Sequence, residues 1–173
     1  MIRTIRFLGD PVLRRETTPV DRFDAELERF VADLIETMYD AEGVGLAAPQ
    51  VGDPRRVTVI DVGTARDGSE VTPLVNPRIA AQEGRVDSEE GCLSIPGIVE
   101  TIDRAAKVEV EYQDVRGESH RIVGEGLLGR ALQHEIDHLD GILFIDRLGP
   151  LKRRMAVREW RRLMAEQGVE VDA

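Results

Sequence analysis

The sequence predicts one domain that mixes α-helices with β-strands, and three observations carry that prediction. An amphipathic repeat runs from Asp24 to Ala41, and apolar/charged alternation runs from Lys107 to Tyr112. Between Gly124 and Leu139 lies a strongly apolar helical stretch that contains Gln133-His134-Glu135-Ile136-Asp137-His138. At 173 residues the chain fills one well-buried domain, 1–173, and is short for two. No repeat, low-complexity tract or linker divides it.

The elements follow in order. Met1 to Phe7 lacks the apolar core and small-residue cleavage site of a signal peptide, so a cytoplasmic location is expected. From Asp24 to Ala41, Leu27, Phe30, Val31, Leu34, Ile35, Met38 and Tyr39 recur at three- and four-residue steps, the mark of a helix with one buried face. That helix stops before Gly43. Gly43 to Gly52 reads as a loop of small residues. Short strands are expected at Arg56–Asp61, Pro73–Val75 and Lys107–Tyr112. Asp114-Val115-Arg116-Gly117 forms a turn into a partner strand near His120–Val123. The Gly124–Leu139 helix places Leu127, Leu128, Ala131, Leu132, Ile136 and Leu139 around much of its circumference and should be buried. Pro150 opens a last helix running to about Gln167.

Bulk properties exclude several functions. The net charge is −10 and the mean hydropathy −0.25, which argues against DNA as a partner of the whole surface. No apolar run approaches the ~20 residues that span a bilayer. A single cysteine, Cys92, rules out an internal disulfide, so this thiol is buried, reactive or a ligand.

The chemistry concentrates in His134-Glu135-x-x-His138. On a helix, i and i+4 share a face, so both imidazoles can reach one metal ion while Glu135 handles protons beside it. Two histidines hold a metal weakly, and a third ligand is required. Cys92 is one candidate, set between Gly91, which permits close approach, and Pro96, which fixes the chain beyond. Glu159 on the last helix is the other, as in zinc endopeptidases, although its arginine neighbours suit it to ion pairs. A third possibility is a non-catalytic binding module that the metal merely stabilises. His120 reads as a surface residue. Gly43-Val44-Gly45 lacks the lysine and spacing of a phosphate loop, and serves either as a tight connection or as a small-residue wall beside a substrate, with Gln50 as a polar group.

Gly43-Val44-Gly45-Leu46-Ala47-Ala48-Pro49-Gln50, Glu90-Gly91-Cys92-Leu93-Ser94 and Gln133-His134-Glu135-Ile136-Asp137-His138 together resemble the three motifs of peptide deformylase, in order and approximate spacing. The resemblance reaches from the N-terminal segment to at least Leu151. It implies an α+β fold, mostly antiparallel strands around a buried metal-binding helix, with an N-terminal amphipathic helix and a C-terminal helix. It implies removal of the formyl group from N-formylmethionine of nascent polypeptides. Cys92, His134 and His138 then hold the metal, most often Fe²⁺, with Zn²⁺, Ni²⁺ or Co²⁺ present after purification; a thiolate and two imidazoles suit all four. Glu135 is the general acid/base, and the Gln50 amide and the Leu93 backbone N–H stabilise the oxyanion. The backbones of Val44, Gly45 and Gly91 hold the peptide extended. Glu90 and Asp137 are candidates for orienting the imidazoles.

Where some members of that family have a substrate-contacting arginine after Ser-Ile-Pro, this chain reads Gly97-Ile98-Val99-Glu100, which leaves Arg104 as a substitute. Arg154, Arg158 and Arg161 share one face of the last helix, where seven basic residues and one acid lie between Arg147 and Arg162. That face either keeps the helix soluble or docks on the ribosome.

Overall fold

In the computed structural model, which describes residues 1–171, the three expected helices stand close to their expected bounds. Helix α1 spans Ala25–Asp40; the Asp24 side chain caps it by accepting from the Leu27 N–H at 3.0 Å, and Glu26 and Glu28 complement its N-terminal dipole. Helix α2 covers Gly126–Leu139 and α3 covers Pro150–Glu166, entered through Pro150.

Seven strands lie between and around them. Strands β1 (Gly45–Ala47), β2 (Val57–Ile60), β3 (Thr72–Glu83), β6 (Lys107–Gln113) and β7 (Ser119–Glu125) form one sheet in the order β1-β2-β3-β6-β7, every neighbour antiparallel. Strands β4 (Val86–Cys92) and β5 (Ile95–Arg104) make a separate antiparallel ribbon. The fold is therefore α+β, as expected. The short strand β1 lies at one edge of the larger sheet.

Three layers of apolar contact hold these parts. Leu27, Phe30, Leu34 and Met38 of α1 pack on Leu46, Val57, Val59 and Val75. Leu132 and Ile136 of α2 bury against Ile60, Leu74, Val108 and Val110 of the larger sheet. Ala156, Trp160 and Met164, spaced four apart on α3, cover Ile95, Ile98 and Ile102 of the ribbon. Trp160 is fully buried, and an aromatic of that size anchors the terminal helix with about 3 kcal/mol of apolar burial.

The departures from expectation have physical causes. Gly45–Ala47 leaves the expected loop to pair with β2. Strand β3 runs well past Val75. Asn76-Pro77 resembles a stop, yet a bulge between Val75 and Arg78 absorbs it. The Asn76 side chain ties that bulge to the Val20 backbone and to Gln113. The β4–β5 ribbon has little alternation to read: Val86–Cys92 is nearly all polar, and Gly97 at φ +85° interrupts the buried Ile95, Ile98, Ile102 series. Strand β7 also claims Gly124 and Glu125 from the expected helix. Leu127, expected in the core, is 55% exposed and stands at the rim of a cavity.

Candidate active site

Helix α2 lies across the larger sheet with its later turns directed at the ribbon, and this crossing assembles the site. His134 and His138 leave one face of α2 with ring centroids 4.9 Å apart and Nε2 atoms 3.2 Å apart. Cys92 ends β4, where a register shift after Glu90 and the tight Cys92–Ile95 turn direct its thiol toward them. Its Sγ lies 3.3 Å from His138 Nε2, and one ligand atom from each of the three residues lies within 4.8 Å of the others.

Buried this close together, the two imidazoles oppose each other's charge. Burial works against charge on His134, but hydrogen bonds to Cys92 and Glu90 outweigh it and push its pKa up to about 10. Burial keeps His138 neutral, well below the ordinary histidine range. A thiol and two imidazoles with converging ligand atoms make a set of soft and borderline donors on which a divalent cation can take the place of protons, so these residues fit a metal. Glu159 does not join them. It is exposed on α3 and paired with Arg162 at 2.6 Å, which removes the zinc-endopeptidase ligand set. His120 is likewise outside the site, bonded to Asp114 at 2.7 Å and stacked on Tyr112 at the surface.

Glu135 is buried beside the cluster. Its Oε2 has no hydrogen-bond partner among the described residues. Desolvation drives its pKa up to about 7, against the opposing pull of His134 and Arg104. Gly45 makes room for it: a Cβ at that position would stand 2.7 Å from Glu135 Oε1. Gln50, from the helical turn after β1, is also buried and tightly held. Its Oε1 accepts from the Ala47 N–H at 3.0 Å, while Nε2 reaches Ser94 Oγ at 3.1 Å and Cys92 Sγ at 3.6 Å.

These groups open into a cavity of about 470 Å³. Val44, Gly45, Gln50, Gly91, Cys92, Leu93, His134 and Glu135 all line it. His138 closes the cluster from behind. The residues nominated from sequence therefore meet in one place, and apolar side chains such as Leu127 and Val99 rim the opening.

Around the cluster runs an ionic network that sequence reading caught only in part. Glu90 accepts from His134 Nδ1 at 3.0 Å. Burial opposes its charge, yet Arg104 and His134 hold its pKa down at about 2. Arg104 is 2% exposed; it grips Glu90 at 2.7 and 2.8 Å and Asp137 at 2.7 Å. It does not line the cavity, so the expectation that it replaces a substrate-contacting arginine is corrected: both carboxylates hold it in the interior. Arg130 adds a bond to Glu90 at 2.8 Å, and Arg147 pairs with Asp137 at 2.7 and 2.8 Å. Asp137 thus touches arginines rather than an imidazole. Ser94 and Arg130 were not foreseen; Ser94 sits inside a quoted motif, whereas nothing local marks Arg130.

Known proteins resemble this chain along most of its length. Residues 2–154 match the polypeptide deformylase family. A peptide deformylase of Acidobacterium capsulatum is 50% identical over 163 residues, covering 94% of this chain and 96% of that protein. One from Rhizobium meliloti is 46% identical, with 98% of each chain covered. The crystal structure of a peptide deformylase from Legionella pneumophila superimposes with a TM-score of 0.93 at 47% identity, over 98% of this chain and 99% of that one. A peptide deformylase from Synechococcus elongatus, in complex with actinonin, gives 0.85 at 40% identity over 96% and 88%.

Proposed function

The chain belongs to the peptide deformylase family, and from that premise we propose how its residues divide the work. The protein is a hydrolase that removes the formyl group from N-formylmethionyl nascent peptides. Cys92, His134 and His138 hold one divalent metal ion, natively Fe²⁺, with Zn²⁺, Ni²⁺ or Co²⁺ replacing it during purification. When bound, the ion supplies a Lewis acid and acidifies water. The convergence of those three ligand atoms beside Glu135 carries this reading.

Glu135 is the general base and then the acid: buried and without a partner at Oε2, it takes a proton from the attacking water and delivers it to the leaving amine. The Gln50 Nε2–H₂ and the Leu93 backbone N–H donate to the oxygen on which negative charge develops. Because the Gln50 amide is pinned at both ends, it needs little reorganisation as that charge appears. Val44, Gly45 and Gly91 grip the peptide backbone. A formyl carbon bears only hydrogen, which suits a narrow approach past Gly45 and excludes acetyl by size.

The decisive assay supplies anaerobically purified, metal-analysed protein with formyl-Met and acetyl-Met tripeptides. One metal per chain and formate release from the formyl peptide alone are expected; cleavage of internal peptide bonds without formate would overturn the assignment. Two variants test the parts. Gln50→Ala should lower kcat by about 10²–10³, the usual cost of one oxyanion donor, with metal content unchanged. Gly45→Ala has no backbone reason to be strained, but its methyl displaces Glu135. It should cost kcat at least about tenfold with metal content little altered, since a misplaced proton-transfer group loses much of its 10²–10⁴.

The protein works in the cytoplasm, where its substrates emerge; among the described residues no helix is long and apolar enough to cross a membrane. Docking on the ribosome falls to α3. Arg154, Arg158 and Arg161 are exposed and have no carboxylate partner among the described residues, and with Arg153 and Val157 they line a shallow groove. Reversing those three charges should abolish salt-sensitive co-sedimentation with ribosomes. Unchanged sedimentation assigns them to solubility alone.

A further inference from the structure

We propose that Arg104 is a positioning residue that fixes the two metal-bearing elements of the site relative to each other. Cys92 lies on the ribbon and the two histidines lie on α2, and these parts of the chain are far apart in sequence. Arg104, at the end of β5, reaches both. Its Nε and Nη2 donate to Glu90, two residues before Cys92, and its Nη1 donates to Asp137, one residue before His138. Glu90 passes the constraint to the third ligand by accepting from His134 Nδ1. One guanidinium is thus one or two bonds from a neighbour of every ligand. This inference rests on the metal site proposed above.

The geometry asks for arginine in particular. The planar fork offers two parallel donors to Glu90 and a third in a different direction to Asp137; a lysine ammonium lacks that fixed spread. A purely structural role explains the side chain less well. Buried ion pairs are often no better for stability than apolar residues of similar volume, so a buried arginine bridging two acids is better accounted for by the precision it imposes. The remaining donors on those acids support the same frame: Arg130 holds Glu90 from α2, and Arg147 holds Asp137 from the turn that leads to α3.

The test uses the full chain loaded with Co²⁺, whose thiolate charge-transfer and d–d bands report ligand geometry. Arg104→Lys and Arg104→Met should each weaken Co²⁺ binding by about ten- to a hundredfold in chelator competition and change both bands. Adding Glu90→Gln to Arg104→Met should cost less than the sum of the two single changes, because the two residues share one bonded pair. Should the Arg104 variants not fold, Asp137→Asn removes one arm of the bridge without changing volume and should shift the same bands. The proposal is overturned by folded variants that bind Co²⁺ within twofold of the parent with an unchanged spectrum, whatever their melting temperature. A Cys92→Ala protein that binds Co²⁺ as tightly as the parent is a different result, since it removes the metal site itself.

Discussion

Cys92→Ala should leave a folded chain that retains almost no metal and releases no measurable formate. The residue is half-buried at the margin of the α3 core, so loss of its sulfur removes little apolar contact and the melting temperature of the metal-free protein should move by only a few degrees. The metal site has no such reserve. Two imidazoles 3.2 Å apart remain, and among the described residues no other histidine or acid joins them within ligand range. Removing a ligand must cost more than the roughly 10–100-fold lost when an outer partner is removed, so dialysis should strip the ion. Cys92→Ser keeps the volume and should behave nearly as badly, because a hydroxyl is a poor substitute for a thiolate. Elemental analysis after dialysis, paired with the formate assay, decides the matter. Stoichiometric metal and full turnover in either variant would remove Cys92 from the ligand set.

Glu135→Gln should separate chemistry from assembly. Turnover should fall by about 10²–10⁴ with metal content intact, because the amide occupies the same space without accepting a proton. The metal-free variant should meanwhile be more stable than its parent at neutral pH. Burial raises the Glu135 pKa from 4.5 to about 7. Between those values the folded chain holds a proton at Glu135 that the unfolded chain has released, so this residue's contribution to parent stability declines as pH rises through that window. In the variant that contribution is absent, because the amide stays neutral. Its advantage should reach up to about 3 kcal/mol above pH 7 and vanish below about pH 4.5. Melting curves of the apo proteins at pH 4 and pH 8 measure it. Equal differences at both pH values would contradict a buried, charge-intolerant Glu135, and undiminished turnover would end its catalytic assignment.

What could be read in the sequence followed from how locally each feature is encoded. The three helices carry their signals within themselves, in Leu27 to Met38, in the apolar run around His134, and in Pro150, and they stand where expected. His134, Glu135 and His138 are fixed by helical spacing alone. The ribbon that delivers Cys92 is different: β4 has almost no apolar residue, and its structure depends on pairing with β5 rather than on any local pattern. Arg104 illustrates the limit most clearly. An isolated arginine in a polar stretch looks exposed, and only the fold brings Glu90 and Asp137 to it from two directions. Long-range electrostatic pairing leaves no periodicity to detect.

The position of β1 at the rim of its sheet has a consequence for the breadth of the enzyme's task. A free strand margin offers main-chain donors and acceptors, and every polypeptide carries the same complement of these. Substrate binding along Val44 and Gly45, as proposed above, would read what all new chains have in common and stay indifferent to what distinguishes them. Only three residues long and placed against the cavity, β1 is too short and too sheltered to recruit a second folded protein. The same margin therefore admits a thin, extended chain end and refuses a sheet, so a catalyst for an entire proteome need not be a sticky one.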